Sequence, residues 1–308
     1  MSDIDDIITM PNHVMLENVA GHCSMSCNMC PIDSYPRKET MSDELFFRIV
    51  SRLAPYKSNI SYFSLVGLGE SLLDKSVHTK VSYLKSDGWR GVGVYTNGTP
   101  LTERTSENLL KSGLDSLLIS IDGFSSKVQN TIRKGGDLKK IRSNLLRFIE
   151  LRNTGSYQTK VVIRFTEQDL NVDEYESFYN FWSSVINVNS GDMILKYELH
   201  NHGVLVDTSA LTKFSTRKNS LSAAKPTRCK EIFERLTILS DGSVGLCCGD
   251  HLFKEQTGSI LDRDPIDIYN SGSHKRYRRA FLTEDFSEAP LCNGCTVMSS
   301  ILSKQIGI

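Results

Sequence analysis

Three cysteines in one short segment constrain this chain more than any other feature of its sequence. Cys23, Cys27 and Cys30 have the spacing Cys-x3-Cys-x2-Cys, and Pro31 follows the last of them. Three thiolates on one loop can ligate three irons of a cubane [4Fe–4S] cluster and leave the fourth iron open to another ligand. The alternative is a zinc site, which needs a fourth ligand. His22 could supply it but would crowd the same metal, so we expect an iron–sulfur cluster.

Size and charge narrow the class of protein. The 308 residues suffice for one large domain and a small one, and 36 Lys and Arg balance 36 Asp and Glu. This balance argues against a nucleic-acid partner, and we interpret the basic run at 275–279 as a solvated helix face. No segment has the roughly 20 apolar residues of a membrane span, and no signal pattern begins the chain. We expect a cytoplasmic protein with no membrane partner, whose eight cysteines are metal ligands or reactive thiols.

Strand-like and helix-like segments alternate through the first two thirds of the chain. Strand patterns cover 13–19, 60–66, 92–95, 116–121, 160–165 and 193–199, and helical patterns cover 43–53, 77–86, 102–112, 138–151 and 173–185. This alternation predicts an α/β fold with a parallel sheet. Chemistry in such sheets collects at the carboxyl ends of the strands. Those ends carry the cysteine loop, Gly69-Glu70, Thr96-Asn97-Gly98, Ser120, Asp122 and Arg164.

The cysteine spacing resembles that of the radical S-adenosylmethionine (SAM) superfamily, in which SAM fills the open iron. The run Gly67-Leu68-Gly69-Glu70 resembles the second motif of that family, with Ser71 where proline is usual. Met29 stands where an aromatic residue usually precedes the third cysteine. Thr96-Asn97-Gly98 and Ser120-Ile121-Asp122-Gly123 resemble the next two strand ends of that family. Arg133-Lys134-Gly135-Gly136 resembles the Arg-x-Gly-Gly run that follows them.

The resemblance implies a partial (β/α)6 barrel, open on one side to admit a substrate. It assigns a set of residues to SAM: Gly69, Glu70, Thr96, Asn97, Ser120, Asp122 and Arg133. Glu70 would accept from the amino group of SAM, and the small polar side chains would hold its ribose hydroxyls. Arg133 or Arg164 could pair with a carboxylate through a bidentate contact. Arg164 lies between apolar neighbours on a predicted strand, so we expect it to point inward.

The last third of the chain carries five more cysteines: Cys229, Cys247, Cys248, Cys292 and Cys295. Two apolar runs around Asp241-Gly242 predict a β-hairpin before the second of them, and residues 266–281 have a helical pattern. Four of the five thiols can ligate one centre, with a four-cysteine zinc site as the alternative. On a continuing strand, Cys247 and Cys248 would point to opposite faces. Spacing favours Cys247, with Cys229, Cys292 and Cys295, and leaves Cys248 spare.

The segments 258–260 and 267–271 resemble the stretch between ligands in SPASM and Twitch modules. This resemblance implies a second [4Fe–4S] cluster, held by the module. We therefore expect a radical SAM core at 1–203, a connecting segment at 204–225 and an auxiliary-cluster module at 226–308.

These features predict a radical SAM enzyme that cleaves SAM reductively to a 5′-deoxyadenosyl radical and abstracts hydrogen from a substrate carbon. A flavodoxin- or ferredoxin-type protein would donate the electron. We place dehydrogenation of a sugar or cyclitol carbinol first, assisted by Arg164 and with Glu198, His200 or His202 as the base. Epimerisation with Cys248 as hydrogen-atom donor comes second, and peptide modification third. A non-enzymatic electron-transfer protein is the contrasting class.

Overall fold

The computed structural model describes residues 9–212 and 228–297 with their side chains, and the backbone at 301–305. Most of its strands lie in one ten-stranded sheet. The strands, in chain order, are β1 His13–Leu16, β2 Val19–Ala20, β3 Ser26–Cys27, β4 Glu39–Thr40, β5 Tyr62–Leu65, β6 Val92–Thr96, β7 Ser116–Ser120, β8 Arg133–Lys134, β9 Lys160–Glu167, β10 Met193–Glu198, β11 Arg235–Ile238, β12 Ser243–Gly245, β13 Gln256–Ser259 and β14 Ile301–Gln305.

Helices alternate with the strands of the first two thirds, as the sequence pattern predicts. Ser42, Thr102 and Asp137 each accept a backbone N–H of the first turn that follows, which fixes where three of the helices begin. The α-helices within the described residues are α1 Asp43–Leu53, α2 Val77–Ser86, α3 Glu103–Lys111, α4 Ser126–Ile132, α5 Leu138–Thr154, α6 Tyr175–Ser183, α7 Lys230–Phe233, α8 Pro265–Tyr269 and α9 Gly272–Thr283.

The large sheet has the order β13-β12-β11-β1-β5-β6-β7-β9-β10-β14. Every neighbouring pair from β11 to β10 is parallel. The six strands predicted for the barrel stand next to one another in chain order, as β1, β5, β6, β7, β9 and β10. The expected α/β fold with a parallel strand–helix core is confirmed, and it brings the carboxyl ends of these strands to one edge.

The two faces of the parallel sheet have different neighbours, as β9 shows. Val161, Ile163 and Phe165 are fully buried in the main apolar core, which the helices share. Val162 packs on the opposite face, in a small cluster with Leu118 and Leu195. Because side chains alternate along a strand, residues 164 and 166 follow Val162 on that interior face. The interior is thus apolar low in the barrel and polar at the strand ends.

The C-terminal module continues the core sheet. The predicted hairpin forms: β11 and β12 pair antiparallel across a turn that contains Gly242 with φ +85°. However, β11 also pairs in parallel with β1, with Val14 opposite Leu236. The sequence did not predict this pairing, nor the antiparallel strands β13 and β14 at the two edges. The predicted boundaries at 203 and 225 stay predictions, and most of the connecting segment lies outside the described residues.

The helix predicted at 266–281 is two helices, α8 and α9. The side chain of Asn270 donates to the carbonyl of Ile266, so it competes with the backbone ladder at the point where α8 ends. The basic run on α9 is less exposed than expected, since Arg278 is buried and Arg276 pairs with Glu255. Among the described residues, no helix has the length and apolar character needed to cross a membrane.

Candidate active site

The cysteine loop is held by a strand pair that the motif spacing did not reveal. β3 pairs antiparallel with β8, which places Cys27 opposite Arg133. Gly135 follows β8 with φ +86°, and a Cβ there would lie 2.9 Å from the carbonyl oxygen of Ser24. Glycine is therefore required at this position, because any side chain would be strained and would collide with the loop. The run that begins at Arg133 is a clamp on the cysteine loop.

The three thiols of the loop line one cavity of about 240 Å³. The sulfur of Cys23 accepts from Met25 N–H at 3.4 Å and from Asn97 Nδ2 at 3.5 Å. Arg133 Nη1 donates to the Cys27 sulfur at 3.6 Å, and burial raises the pKa of Cys30 to about 12. Within the described chain no three His, Cys, Asp or Glu side chains converge on a single metal ion. A cubane cluster spreads its irons over separate corners, so this all-thiol set fits the cluster.

Glu70 is fixed at the wall of the same cavity. Its buried carboxylate accepts from Leu72 N–H at 3.1 Å, from Thr96 Oγ1 at 2.7 Å and from Asn97 N–H at 2.7 Å. Burial raises the pKa of Glu70, whereas these donors lower it. Ser120 lines the cavity beside them. The predicted SAM residues at the ends of β5, β6 and β7 therefore do lie together.

The glycines of the Gly67-Leu68-Gly69-Glu70 run are required by the packing behind them. A Cβ on Gly67 would overlap the side chain of Glu17, and a Cβ on Gly69 would overlap the carbonyl of Val19. Both glycines admit the chain that follows β1. Glu17, which the sequence analysis missed, is thereby buried and accepts from Tyr35 Oη at 2.6 Å.

Asp122 is placed behind Arg133. Its fully buried carboxylate accepts from Arg133 Nε at 2.7 Å, from Arg133 Nη2 at 2.7 Å and from Thr166 N–H at 2.7 Å. These contacts occupy both of its oxygens, whereas Arg133 lines the cavity. The geometry therefore makes Asp122 a positioning residue for Arg133, in place of the direct contact with SAM that we predicted.

A second cavity of about 280 Å³ lies between the first cavity and the C-terminal hairpin, and Cys247 and Cys248 line it. The two cavities share wall residues, so they adjoin: Val66, Gly67, Leu68, Tyr95, Arg164, Tyr197, His200 and His202. We call the two together the joined cavity. It extends from the cysteine loop to the vicinal cysteines.

A chain of polar contacts runs from Cys248 back to β1. The thiol of Cys248 donates to Glu231 Oε2 at 3.1 Å, and Glu231 pairs with Arg235. Arg235 Nε donates to His13 Nδ1 at 3.0 Å, so the ring proton of neutral His13 is on Nε2, 2.8 Å from Ser64 Oγ. Burial, and secondarily Arg235, lowers the pKa of His13 to about 2. His13 lines the second cavity, and nothing in its sequence context marked it.

The other module thiols lie in a separate apolar cluster. Cys229 and Cys292 are buried there, and Cys247 packs against the cluster. Cys295 N–H donates to the carbonyl of Cys292 at 3.2 Å. Burial raises the pKa of Cys229 to about 12. An all-thiol set in an apolar pocket fits an iron–sulfur cluster, and the predicted ligand set of Cys229, Cys247, Cys292 and Cys295 stays a prediction.

The three candidate bases line the joined cavity. Glu198 lines the first cavity, and His200 and His202 line both. The rings of His200 and His202 are 4.2 Å apart between centroids, and that of His251 is 5.8 Å from His202. Burial, followed by the two neighbouring imidazoles, lowers the pKa of His202 to about 2. His202 is therefore neutral and can accept a hydrogen bond.

Two family models match the chain. The model of the radical SAM superfamily matches residues 18–173, and that of the SPASM iron–sulfur cluster-binding domain matches residues 229–296. The chain is 24% identical over 170 residues to a probable GTP 3′,8-cyclase of Methanococcus vannielii, covering 54% of each chain. It is 30% identical over 132 residues to that of Methanothermobacter marburgensis, covering 42% of this chain and 41% of the relative. The chain thus spans about half the length of these relatives.

Solved structures with the same fold cover nearly the whole chain. BtrN in complex with AdoMet and 2-DOIA has a TM-score of 0.63 at 15% identity and covers 97% of this chain and 98% of its own. Streptococcus suis SuiB bound to its precursor peptide SuiA has a TM-score of 0.65 at 14% identity, covering 89% and 68%. Native anSMEcpe with bound AdoMet has a TM-score of 0.63 at 17% identity, covering 92% and 89%.

The family matches also settle the cofactors. Radical SAM and SPASM domains imply [4Fe–4S] clusters and SAM, and neighbours were crystallised with AdoMet. The thiol sets at both ends of the joined cavity fit that chemistry. With a radical SAM model over half its length and the matching barrel, this chain belongs to the radical SAM superfamily.

Proposed function

We propose that this enzyme dehydrogenates a carbinol of a sugar or cyclitol. The observation that carries the proposal is the joined cavity, which connects the thiols of the cysteine loop with those of the C-terminal module. A two-electron oxidation needs an acceptor beside the substrate, and a cluster held by the module thiols would supply it, since Cys247 lines the far wall of the cavity. The polar wall of imidazoles, carboxylates and tyrosines suits a polyhydroxylated molecule.

In this proposal, bound SAM and the two clusters supply the radical that abstracts hydrogen and the site that accepts one electron. The substrate carbon loses a hydrogen atom, its hydroxyl loses a proton and one electron leaves, so a carbinol becomes a ketone. The residues of this chain orient the hydroxyl and take the proton. Glu198, His200 and His202 are the proposed acceptors, because Glu198 lines the first cavity and the two histidines line both.

Cys23, Cys27 and Cys30 are the proposed ligands of the cluster that acts on SAM. Residues around them would bind SAM: Gly69, Glu70, Thr96, Asn97, Ser120 and Arg133. A small external one-electron carrier of the flavodoxin or ferredoxin type is the proposed donor. Cys23 supports that role, since it also lines an outer depression flanked by Lys38 and Lys134. A cytoplasmic location stays a prediction.

Epimerisation is the second candidate, and the position of Cys248 favours it. Its thiol lines the joined cavity at the end away from the cysteine loop, and its S–H is directed at Glu231. A substrate radical could take this hydrogen atom from the opposite face. The resulting sulfur radical would regain one electron and one proton, with the external donor as the source of the electron.

One experiment separates the two reactions. In deuterated water, an epimerase places deuterium on the inverted carbon, because a thiol exchanges with solvent before it donates. Cys248→Ala would then cleave SAM without completing turnover. A dehydrogenase instead forms one ketone per SAM consumed, incorporates no solvent hydrogen at that carbon, and retains turnover in Cys248→Ala. Solvent deuterium in the wild-type product would overturn the dehydrogenase proposal.

Two other activities have less support. SuiB was solved with a precursor peptide, but that likeness shows the fold alone, and peptide modification remains the third possibility. The GTP 3′,8-cyclases match about half of this chain. Incubation with GTP and SAM tests that activity directly, and a cyclised nucleotide product would replace the present proposal.

A further inference from the structure

We infer that Arg164 forms an anion-binding subsite in the joined cavity and that the substrate carries a phosphate or carboxylate group in addition to its carbinol. This inference rests on the proposed function for the location of the substrate. It extends that function by naming a chemical group that the proposal does not specify.

The pairing of the arginines in the joined cavity singles out Arg164. Three arginines line the cavity: Arg133, Arg164 and Arg235. Arg133 is paired with Asp122, and Arg235 is paired with Glu231. The guanidinium of Arg164 has no ion pair or hydrogen bond to any residue that the structure describes. A cation held beside a substrate cavity without an acidic partner is suited to an anion from the ligand.

Arg164 is held in place by its strand and by two rings. It follows Val162 on the interior face of β9, so it stands directly above the small apolar cluster. Its guanidinium carbon lies 5.5 Å from the ring centroid of Tyr95 and 4.8 Å from that of Tyr197. These cation–π contacts restrict the side chain without using its N–H donors. The donors are therefore pre-arranged for a ligand.

The Nε atom of Arg164 adds a second observation. It is enclosed away from solvent and has no hydrogen-bond partner. Leaving such a charged donor unsatisfied is costly. An oxyanion offers two acceptors in one plane, which a guanidinium binds in a bidentate way. Binding of a phosphate or carboxylate would remove that cost.

The acidic side chains near Arg164 do not replace the ligand. Glu70 is engaged by three donors, and Glu17 accepts from Tyr35 and from Leu68 N–H. Glu231 pairs with Arg235. Glu198 and Asp250 also line the joined cavity, and Asp250 accepts from two backbone N–H groups. Most of the lining carboxylates therefore already have donors, and an anionic group on the ligand would meet Arg164.

Two sources could supply the anion: the carboxylate of SAM and a group on the substrate. Arg133 is the cation beside Cys27 and lines only the first cavity. Arg164 lines both cavities and faces the region that the substrate would occupy. We therefore assign the anion that binds Arg164 to the substrate. Arg133 is then the cation available to the carboxylate of SAM.

The test measures binding to the reconstituted holoenzyme with SAM present, by anaerobic calorimetry. The probes are matched pairs: glucose with glucose 6-phosphate, and myo-inositol with myo-inositol 1-phosphate, with glucuronate as a carboxylate. We expect each anionic probe to bind roughly 10- to 100-fold more tightly than its neutral partner, as for a charged hydrogen-bonded contact. Arg164→Gln should reduce that ratio to about one, and Arg164→Lys should retain part of it.

The chain offers a matched control. Arg142 is also an arginine between two aromatic rings, 5.1 Å from Phe124 and 4.7 Å from Phe181, but it lies outside the joined cavity. Arg142→Gln should leave the binding ratio unchanged. An equal ratio in Arg164→Gln and wild type would overturn the inference, as would a wild-type enzyme that does not prefer the anionic probes.

Titration with SAM alone distinguishes the two sources of the anion. If Arg164→Gln weakens SAM binding tenfold while the probe ratio persists, Arg164 binds the SAM carboxylate and our assignment is wrong. Because these measurements record binding without turnover, they remain separate from the proposed reaction. An enzyme that binds anionic probes through Arg164 but forms no ketone would refute the dehydrogenase proposal alone.

Discussion

The two thiol sites of this protein are built in different ways. The loop of Cys23, Cys27 and Cys30 is compact in sequence, but it depends on β8 and Gly135 from a distant part of the chain. The module cysteines are dispersed in sequence: Cys229 and Cys292 are buried in an apolar cluster, and Cys247 packs against that cluster. A contiguous motif therefore identifies the donor atoms, whereas both sites need long-range packing to place them.

The largest expected difference between the two thiol sites appears when each set of thiols is removed in turn. Reconstituted wild type should hold roughly eight irons per chain. Cys23, Cys27 and Cys30 changed together to Ala should leave about half of that iron and abolish SAM cleavage. Replacing Cys229 and Cys292 by Ala should also remove about half of the iron but leave SAM cleavage intact.

Iron analysis and the yield of 5′-deoxyadenosine measure both variants. SAM cleavage that survives the loss of the loop thiols would show that the catalytic cluster is at the other site. Zinc in place of iron at the module would remove the proposed electron acceptor.

Glu70→Gln sharpens the comparison by weakening SAM binding without touching a thiol. Glutamine preserves the shape, but it loses the charge that three donors stabilise at Glu70. We expect the Kd of SAM to rise roughly 10- to 100-fold with iron content unchanged, as for a lost charge-assisted contact. Calorimetry measures the affinity.

Glu174→Gln is the control for that variant, since its carboxylate also accepts backbone N–H groups, those of Phe124 and Ser125, outside the joined cavity. Equal SAM affinity in the two variants would remove Glu70 from the SAM site.

Two adjacent glycines test the clamp on the cysteine loop. Gly135→Ala forces a side chain into φ +86° and against the carbonyl of Ser24, a strain of about 1–3 kcal/mol. Gly136→Ala has no left-handed φ to maintain, and its Cβ meets the flexible end of Met25, 2.8 Å from the methyl carbon, and the carbonyl oxygen of Arg133 at 3.0 Å. We expect the first variant to lose its loop cluster faster on heating. The visible absorbance of the cluster measures this loss.

The second variant should lose its cluster more slowly than the first, because position 136 needs no left-handed φ and the methionine tip can rotate away. Equal rates of cluster loss in the two variants would mean that the β3–β8 pair does not control the loop.

The smallest expected effect is a change in the pH dependence of stability, and it comes from His13, where β1 pairs with β11. Its folded pKa of about 2 is below the unfolded value of 6.5. The unfolded chain therefore takes up a proton first, so stability is constant above pH 6.5 and falls as the pH decreases towards 2. Between pH 6.5 and pH 5 the loss is about 2 kcal/mol.

His13→Gln should remove this part of the acid sensitivity. The fluorescence of the buried Trp89 and Trp182 reports unfolding in urea. The difference between the urea midpoints at pH 7 and pH 5 measures the acid sensitivity. If the urea midpoint of His13→Gln falls between pH 7 and pH 5 by as much as that of wild type, His13 does not titrate on unfolding.

The sequence predicted the barrel strands, because hydrophobic periodicity is a local signal, and the spacing of the cysteines named the candidate ligands. It could not predict that β11 lies beside β1, since the hydrophobic pattern of a strand does not name its partner. For the same reason Glu17 and His13 were missed: each lies on or just after β1 and enters the cavity only through the sheet order. Asp122 was named for the right motif, but only the structure shows its pairing with Arg133.

The parallel pairing of His13 with Arg235 also affects how the chain folds during synthesis. These partners are 222 residues apart, and contacts of such separation form slowly. At roughly 5–20 residues per second, β1 emerges from the ribosome about 10–45 s before its partner does. During that time one edge of the nascent barrel presents unpaired backbone groups, which favour association with other chains. A lower expression level, which keeps fewer nascent chains close to one another, should therefore raise the yield of folded enzyme.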